Sequence, residues 1–179
     1  MSYFSHGMRW LTLLVSLPPT PSRHRVGVWR KLKRLGALSL RGAAWILPET
    51  PETTERLQWL AQEIRTLGGE ATLLHVDRVG TMSDAEVAGL FHTARAADYE
   101  PVARACREVQ AGLDRLRAGG RGAVEPLRAR LAAAQRDLER VHAVDHLDSP
   151  AGRRTRAIWE RVAARVSAQE ARPRAGGRR

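Results

Sequence analysis

The apolar residues of this 179-residue chain change their spacing near Ser83, and that change limits the fold more than any other feature. Before it, short apolar runs and amphipathic stretches alternate between Pro and Gly stops. After it, apolar residues recur at three and four, the period of an α-helix. Arg9 to Leu17 reads as a nearly continuous apolar strand ended by Pro18 and Pro19 and buried on both faces. Ser22 or Thr20 is expected to cap a helix from about residue 22 to Leu35, stopped by Gly36. Val28, Trp29, Leu32 and Leu35 form its apolar face; Arg23, Arg30 and Arg34 line the opposite one, flanked by Lys31 and Lys33. Ala37 to Leu40 and Ala43 to Leu47 form a hairpin around Arg41-Gly42. A second helix starts at Thr50-Pro51-Glu52, with Leu57, Leu60, Ile64 and Leu67 inward, Trp59 and Ala61 at the margins, and Gly68-Gly69 as its stop. Ala71 to Val76 closes the series as a fourth strand. The order β-α-β-β-α-β over residues 9–77 is that of an α+β, ferredoxin-like unit.

From Ser83 the chain reads as helix. Ser83-Asp84-Ala85-Glu86 is a capping box. Val87, Leu90, Phe91 and Ala94, then Tyr99, Val102, Cys106, Val109, Leu113 and Leu116, support one long helix or two abutting ones, with Pro101 as a kink site. After a loop at residues 119–122, Leu127, Leu131, Ala134, Leu138, Val141 and Val144 mark an antiparallel return helix, completing an α-helical hairpin. A further C-terminal helix runs from Pro150 to about Glu170 with Ile158, Trp159, Val162 and Val166 inward. Residues 83–170 are thus read as a helical appendage, and 171–179 as a disordered basic tail.

Composition narrows the chemistry. A lone cysteine, Cys106, excludes an intramolecular disulfide framework and a multi-thiolate zinc site, and suits the cytoplasm. His142 and His146, four apart, are the weak metal candidates, without a convincing third ligand. No G-x-S-x-G, phosphate loop or dinucleotide fingerprint occurs, so an enzyme is not expected and no cofactor is implied. The run Trp10 to Leu17 lacks a cleavage-site pattern, and neither export nor membrane association is expected. The positive signal is charge. Thirty Lys and Arg against nineteen Asp and Glu leave a net charge of +11, which draws polyanions whatever the fold beneath it. Arg23, Arg30, Lys31, Lys33 and Arg34 are therefore the candidate nucleic-acid-binding residues, with DNA as the expected partner.

Particular runs carry a family resemblance. Ser16-Leu17-Pro18, Trp29-Arg30-Lys31-Leu32-Lys33-Arg34-Leu35-Gly36-Ala37, Ile46-Leu47-Pro48, Gln58-Trp59-Leu60-Ala61 and Gly68-Gly69-Glu70-Ala71 resemble the N-terminal region of the chromate-resistance regulator ChrB over residues 9 to about 76, and more loosely beyond. The region is also distantly similar to the ferredoxin-like domains of PaaX-type repressors and of small CRISPR adaptation nucleases. Those nucleases place an aspartate where this chain has Ser16-Leu17-Pro18, so their metal chemistry is not implied. The resemblance implies a cytoplasmic bacterial transcription regulator that binds promoter DNA and is linked to chromate resistance. The family's C-terminal domain, the expected seat of chromate sensing, is expected to be absent here. A homodimer, or a separate ChrB C-terminal-type sensor chain, is the further partner anticipated. The alternative is a module that does not bind DNA and joins such a sensor through its helical hairpin.

Overall fold

The computed structural model describes residues 7–118 and 122–171. Among them lie four strands and five helices in the order β1 (Trp10–Ser16), α1 (Ser22–Arg34), β2 (Leu38–Arg41), β3 (Ala44–Pro48), α2 (Pro51–Thr66), β4 (Glu70–Val76), α3 (Asp84–Arg117), α4 (Val124–His142) and α5 (Pro150–Glu170). The fold is mixed α and β, with one four-stranded antiparallel sheet. Its contacts divide it into two compact units, one ending at Phe91 and the other beginning at His92. Part of the expected 119–122 loop, and the expected tail from residue 172, lie outside the described residues. No described helix is long and apolar enough to cross a membrane.

In the first unit the strands lie in the order β2-β3-β1-β4. The hairpin strands start one residue later than the apolar runs suggest, because the turn takes Gly42 and Ala43 and a bulge between Ser39 and Arg41 shifts the pairing. Register sets the two faces. Leu13 lies opposite Trp45 and Leu73, so these share one face, and Thr12 opposite Ile46 and Leu74, so these share the other. On the first face α1 brings Val28 and Leu32 beside Val15 and Trp45. On the second, Trp10 stacks against Phe91 of α3 with ring centroids 5.7 Å apart, and its indole Nε1 donates to Asp84 at 3.1 Å. Burial on both faces therefore holds only from Trp10 to Leu13. Leu14, on the Thr12 face, is 40% exposed, since the stacked cover lies at the Trp10 end.

Local chemistry explains where the helices stop and start. Gly36, at φ +80°, takes the left-handed step after α1, letting Ala37 N–H reach the Leu32 carbonyl and Gly36 N–H the Lys33 carbonyl. Thr50 caps α2: its hydroxyl accepts from Thr53 N–H, and Thr53 Oγ1 accepts from Thr50 N–H. Ser83 and Glu86 make the corresponding box at α3. At α1 the expected Ser or Thr cap is absent. The cap position falls on Pro21, which offers no side-chain cap hydrogen bond. Both sheet edges are interrupted: β2 by its bulge, and β4 by Arg65, whose guanidinium donates to the Ala71 carbonyl at 3.2 Å.

The second unit is helical. Tyr99, Val102, Cys106, Val109 and Leu113 of α3 pack with Leu131, Ala134 and Leu138 of α4 and Ala151, Val162 and Val166 of α5. These α3 positions repeat at three and four residues, the stripe expected from the sequence. α3 is one continuous helix through Pro101. Ile158 and Trp159 are only partly buried at the edge of this core.

Candidate nucleic-acid interface

Arg23, Arg30, Lys33 and Arg34 stand exposed on α1, and Lys31 is half-buried. Helical spacing puts Arg23, Arg30 and Arg34 in one stripe opposite buried Val28 and Leu32, with the two lysines on either side. Lys31, Lys33 and Arg34 lie in the last turn, where the helix dipole favours cations. The first turn is different: it has no acidic residue, and Arg23 sits against the positive end of the dipole. Helix stability alone disfavours that placement.

Two of the five candidates are engaged by neighbours. Lys31 Nζ donates to both carboxylate oxygens of Glu63 at 2.5 Å, joining α1 to α2. Lys33 Nζ lies 5.8 Å from the ring centroids of both Trp29 and Trp45, within cation–π range. Trp29 itself is 52% exposed rather than part of the buried face. It sits about 100° around the helix from Val28, which makes it a flank of the apolar stripe rather than its centre.

Beside this stripe, α1 and α2 flank an open, shallow cleft of about 670 Å³ lined by Lys31, Arg34 and Leu35 on one wall and Arg56, Trp59 and Glu63 on the other. Arg56, Trp59 and Glu63 follow one another at three and four residues, so one helical stripe builds that wall. The margins expected for α2 need correction. Trp59 is 70% exposed, whereas Ala61 is buried. Trp59 stands about 130° from the middle of the Leu57, Leu60 and Ile64 face, well outside any apolar stripe, while Ala61 falls within it. The spacing of Trp59 with Arg56 and Glu63 is the one sequence signal of this cleft.

The helical unit holds a different kind of polar cluster. Buried Asp145 accepts from Tyr99 Oη at 3.1 Å, from Ser149 N–H at 3.1 Å and from Ser149 Oγ at 2.8 Å. Ser149 Oγ in turn accepts from Gly152 N–H at 3.1 Å, capping α5. Burial, and then the Asp145 carboxylate, push the Tyr99 phenol well above its ordinary value, so it remains a donor. Arg95, 6% exposed, pairs with Asp98 at 2.9 Å and donates to the Val144 carbonyl at 3.1 Å. Cys106 is fully buried and its thiol is pushed up by burial, the condition of an inert core cysteine.

The metal candidates do not share a helical face. α4 ends at His142, so Val144 and His146 lie in the turn that follows, and neighbouring Asp145 is held by Tyr99 and Ser149. Among the described residues no three His, Cys, Asp or Glu side chains gather as a metal site.

Known proteins share parts of this sequence. Protein ChrB of Cupriavidus metallidurans strain CH34 is 39% identical over 82 residues, which is 46% of this chain and 25% of that protein. The aligned stretch thus spans a quarter of the length of the curated relative. No solved structure matches. The sequence pattern of the family described as "Protein ChrB, N-terminal" matches residues 25–167, reaching from the first turn of α1 to the last turn of α5 and so through both units. With most of its length inside that pattern, the chain belongs to the ChrB family through its N-terminal region.

Proposed function

We propose that this chain is a ChrB-like DNA-binding transcription regulator associated with chromate resistance, acting in the bacterial cytoplasm as a binding protein rather than an enzyme. In this reading residues 9–77 are a ferredoxin-like domain, a description supported by the strand order β2-β3-β1-β4 with α1 and α2 side by side. Residues 83–170 are the helical appendage that accompanies it. Arg23, Arg30, Lys31, Lys33 and Arg34 contact phosphates. The observation that carries the reading is the exposed basic face of α1, which has cations at both helix ends and no acid in its first turn. A surface of this kind binds DNA by releasing counterions, so affinity falls steeply with salt.

The test is a mobility-shift titration against the chain's own upstream region at several salt concentrations. Binding is expected to weaken as salt rises. Arg30→Ala combined with Arg34→Ala should lower the affinity, and should flatten the salt dependence by about one unit of slope for each phosphate that is no longer neutralised. Absence of binding at low salt overturns the reading and favours a module that joins a separate chromate-sensing chain through its helices.

A further inference from the structure

The α1 stripe accounts for contacts to a nucleic-acid backbone but leaves the cleft beside it without a role. That cleft combines three features. Its most prominent apolar group is Trp59, 70% exposed, while Leu60 in the same lining is buried. Its charged lining is Lys31, Arg34 and Arg56 against Glu63, whose carboxylate is already bonded to Lys31; Arg56 is paired with Glu52 one turn earlier at 2.6 Å, an exposed surface pair for which an incoming phosphate competes. Arg34 belongs both to this lining and to the exposed stripe of α1, so a backbone held on the stripe reaches the cleft without a break in positive charge.

We propose that the cleft between α1 and α2 takes an unpaired nucleobase stacked on the face of Trp59, its flanking phosphates held by Arg34 and Arg56. A nucleotide supplies what the lining asks for: a flat aromatic ring for the indole and an adjacent anion for two guanidinium groups. An acidic peptide would satisfy the cations but leave the indole face without a matching ring. In an intact duplex the base faces are stacked against one another, so occupation of this cleft requires a single strand or a locally opened site. The volume of about 670 Å³ lies within the range of small-ligand clefts. The inference rests on the nucleic-acid reading of α1 and specifies the form of DNA that the surface prefers.

Fluorescence anisotropy of the full chain with a labelled oligothymidylate, and with the matching duplex, tests it. Trp59→Ala is expected to weaken single-strand binding about ten-fold or more, the loss of one stacked base, and to leave duplex binding unchanged. Trp59→Phe should restore most of the single-strand affinity, since phenylalanine keeps a stacking face. Arg30→Ala, at a position outside the cleft, reports separately on the α1 stripe and should weaken both forms. If both forms bind and respond to Arg30→Ala while Trp59→Ala changes neither, the stacking proposal falls and the α1 reading stands. If neither form binds at low salt, both fall.

Discussion

The two compact units keep their polar groups in opposite places. Among the described residues of the first, the buried polar side chains are the uncharged Thr12 and Thr53, while the arginines of α1 and two tryptophans face outward. In the second, Arg95, Asp145, Ser149 and Thr155 are buried, and Tyr99 is tied to Asp145 in the same core. Each unit solves a different problem of uniqueness. A sheet has its register set by alternation, because a one-residue slip would turn the whole apolar set of a strand outward. Helices packed through Val, Leu and Ala side chains have no such lock, and apolar contacts of similar size tolerate small shifts. The Tyr99, Asp145 and Ser149 bonds supply one, since they are satisfied only when the α4–α5 turn sits at one position against α3.

Substitutions can break this contrast in order of size. Within the first unit the sharpest test sets one tryptophan against another: Trp10→Ala should lower the unfolding free energy by about 4 kcal/mol, since it removes a fully buried indole stacked on Phe91. Trp59→Ala should change it by less than about 0.5 kcal/mol. Urea titration of both variants measures the difference, and similar losses would mean that the exposed indole is part of the core. Next comes Asp145→Ala, expected to destabilise by about 3 kcal/mol because the Tyr99 hydroxyl and the Ser149 donors lose their acceptor in a buried place. A loss below about 0.5 kcal/mol, no more than an ordinary surface substitution, would show that the helical unit does not depend on its polar lock.

Gly152→Ala should follow at about 2 kcal/mol, the overpacking range. A Cβ there would stand 2.7 Å from Asp145 Oδ2 and 2.9 Å from Tyr99 Oη, so the network must shift to admit it. Pairing it with Asp145→Ala in a double-mutant cycle should recover part of the loss, and strict additivity would place the strain elsewhere. The smallest effect lies at the α3 cap. Glu86 accepts the N–H and hydroxyl of Ser83, and those bonds hold its carboxyl below the ordinary value. Its contribution is therefore fully present above the ordinary carboxylate range and lost as pH falls through the lowered folded value. Thermal midpoints of the wild type and Glu86→Gln should differ slightly at neutral pH and converge in acid; a gap that persists in acid would rule this titration out as its source.

Much of the fold is readable in the sequence because its signals are local. Gly36 after Leu35, Thr50 before Pro51, Ser83 with Glu86, and Pro150 each mark a helix end within a few residues, and all four ends lie there. The family signal is local as well, carried by the α1 run and the Gly68-Gly69-Glu70-Ala71 stop. Less visible are features that depend on an angle around a helix or on a distant partner. Trp29 reads as a member of the α1 apolar face and Trp59 as a margin of the α2 face, yet both angular positions turn the indoles outward. His146 reads as helical from its spacing to His142, but the helix ends at His142 itself. Asp145 gives no sequence signal of its role, since its Tyr99 partner is 46 positions away.

The interruptions at the two edges of the sheet bear on how the chain behaves in a crowded solution. An open edge with a long run of free backbone donors and acceptors invites a strand from a neighbouring molecule, and that invitation is how many β-proteins aggregate. Here one edge is a strand of four residues broken by a bulge at Ser39 to Arg41 and ending in a charge. On the other, Arg65 occupies a backbone carbonyl that an incoming strand would need. A neighbouring strand would therefore meet a broken ladder along β2 and a carbonyl already taken at the Ala71 end of β4, so continuation of the sheet is disfavoured at both places.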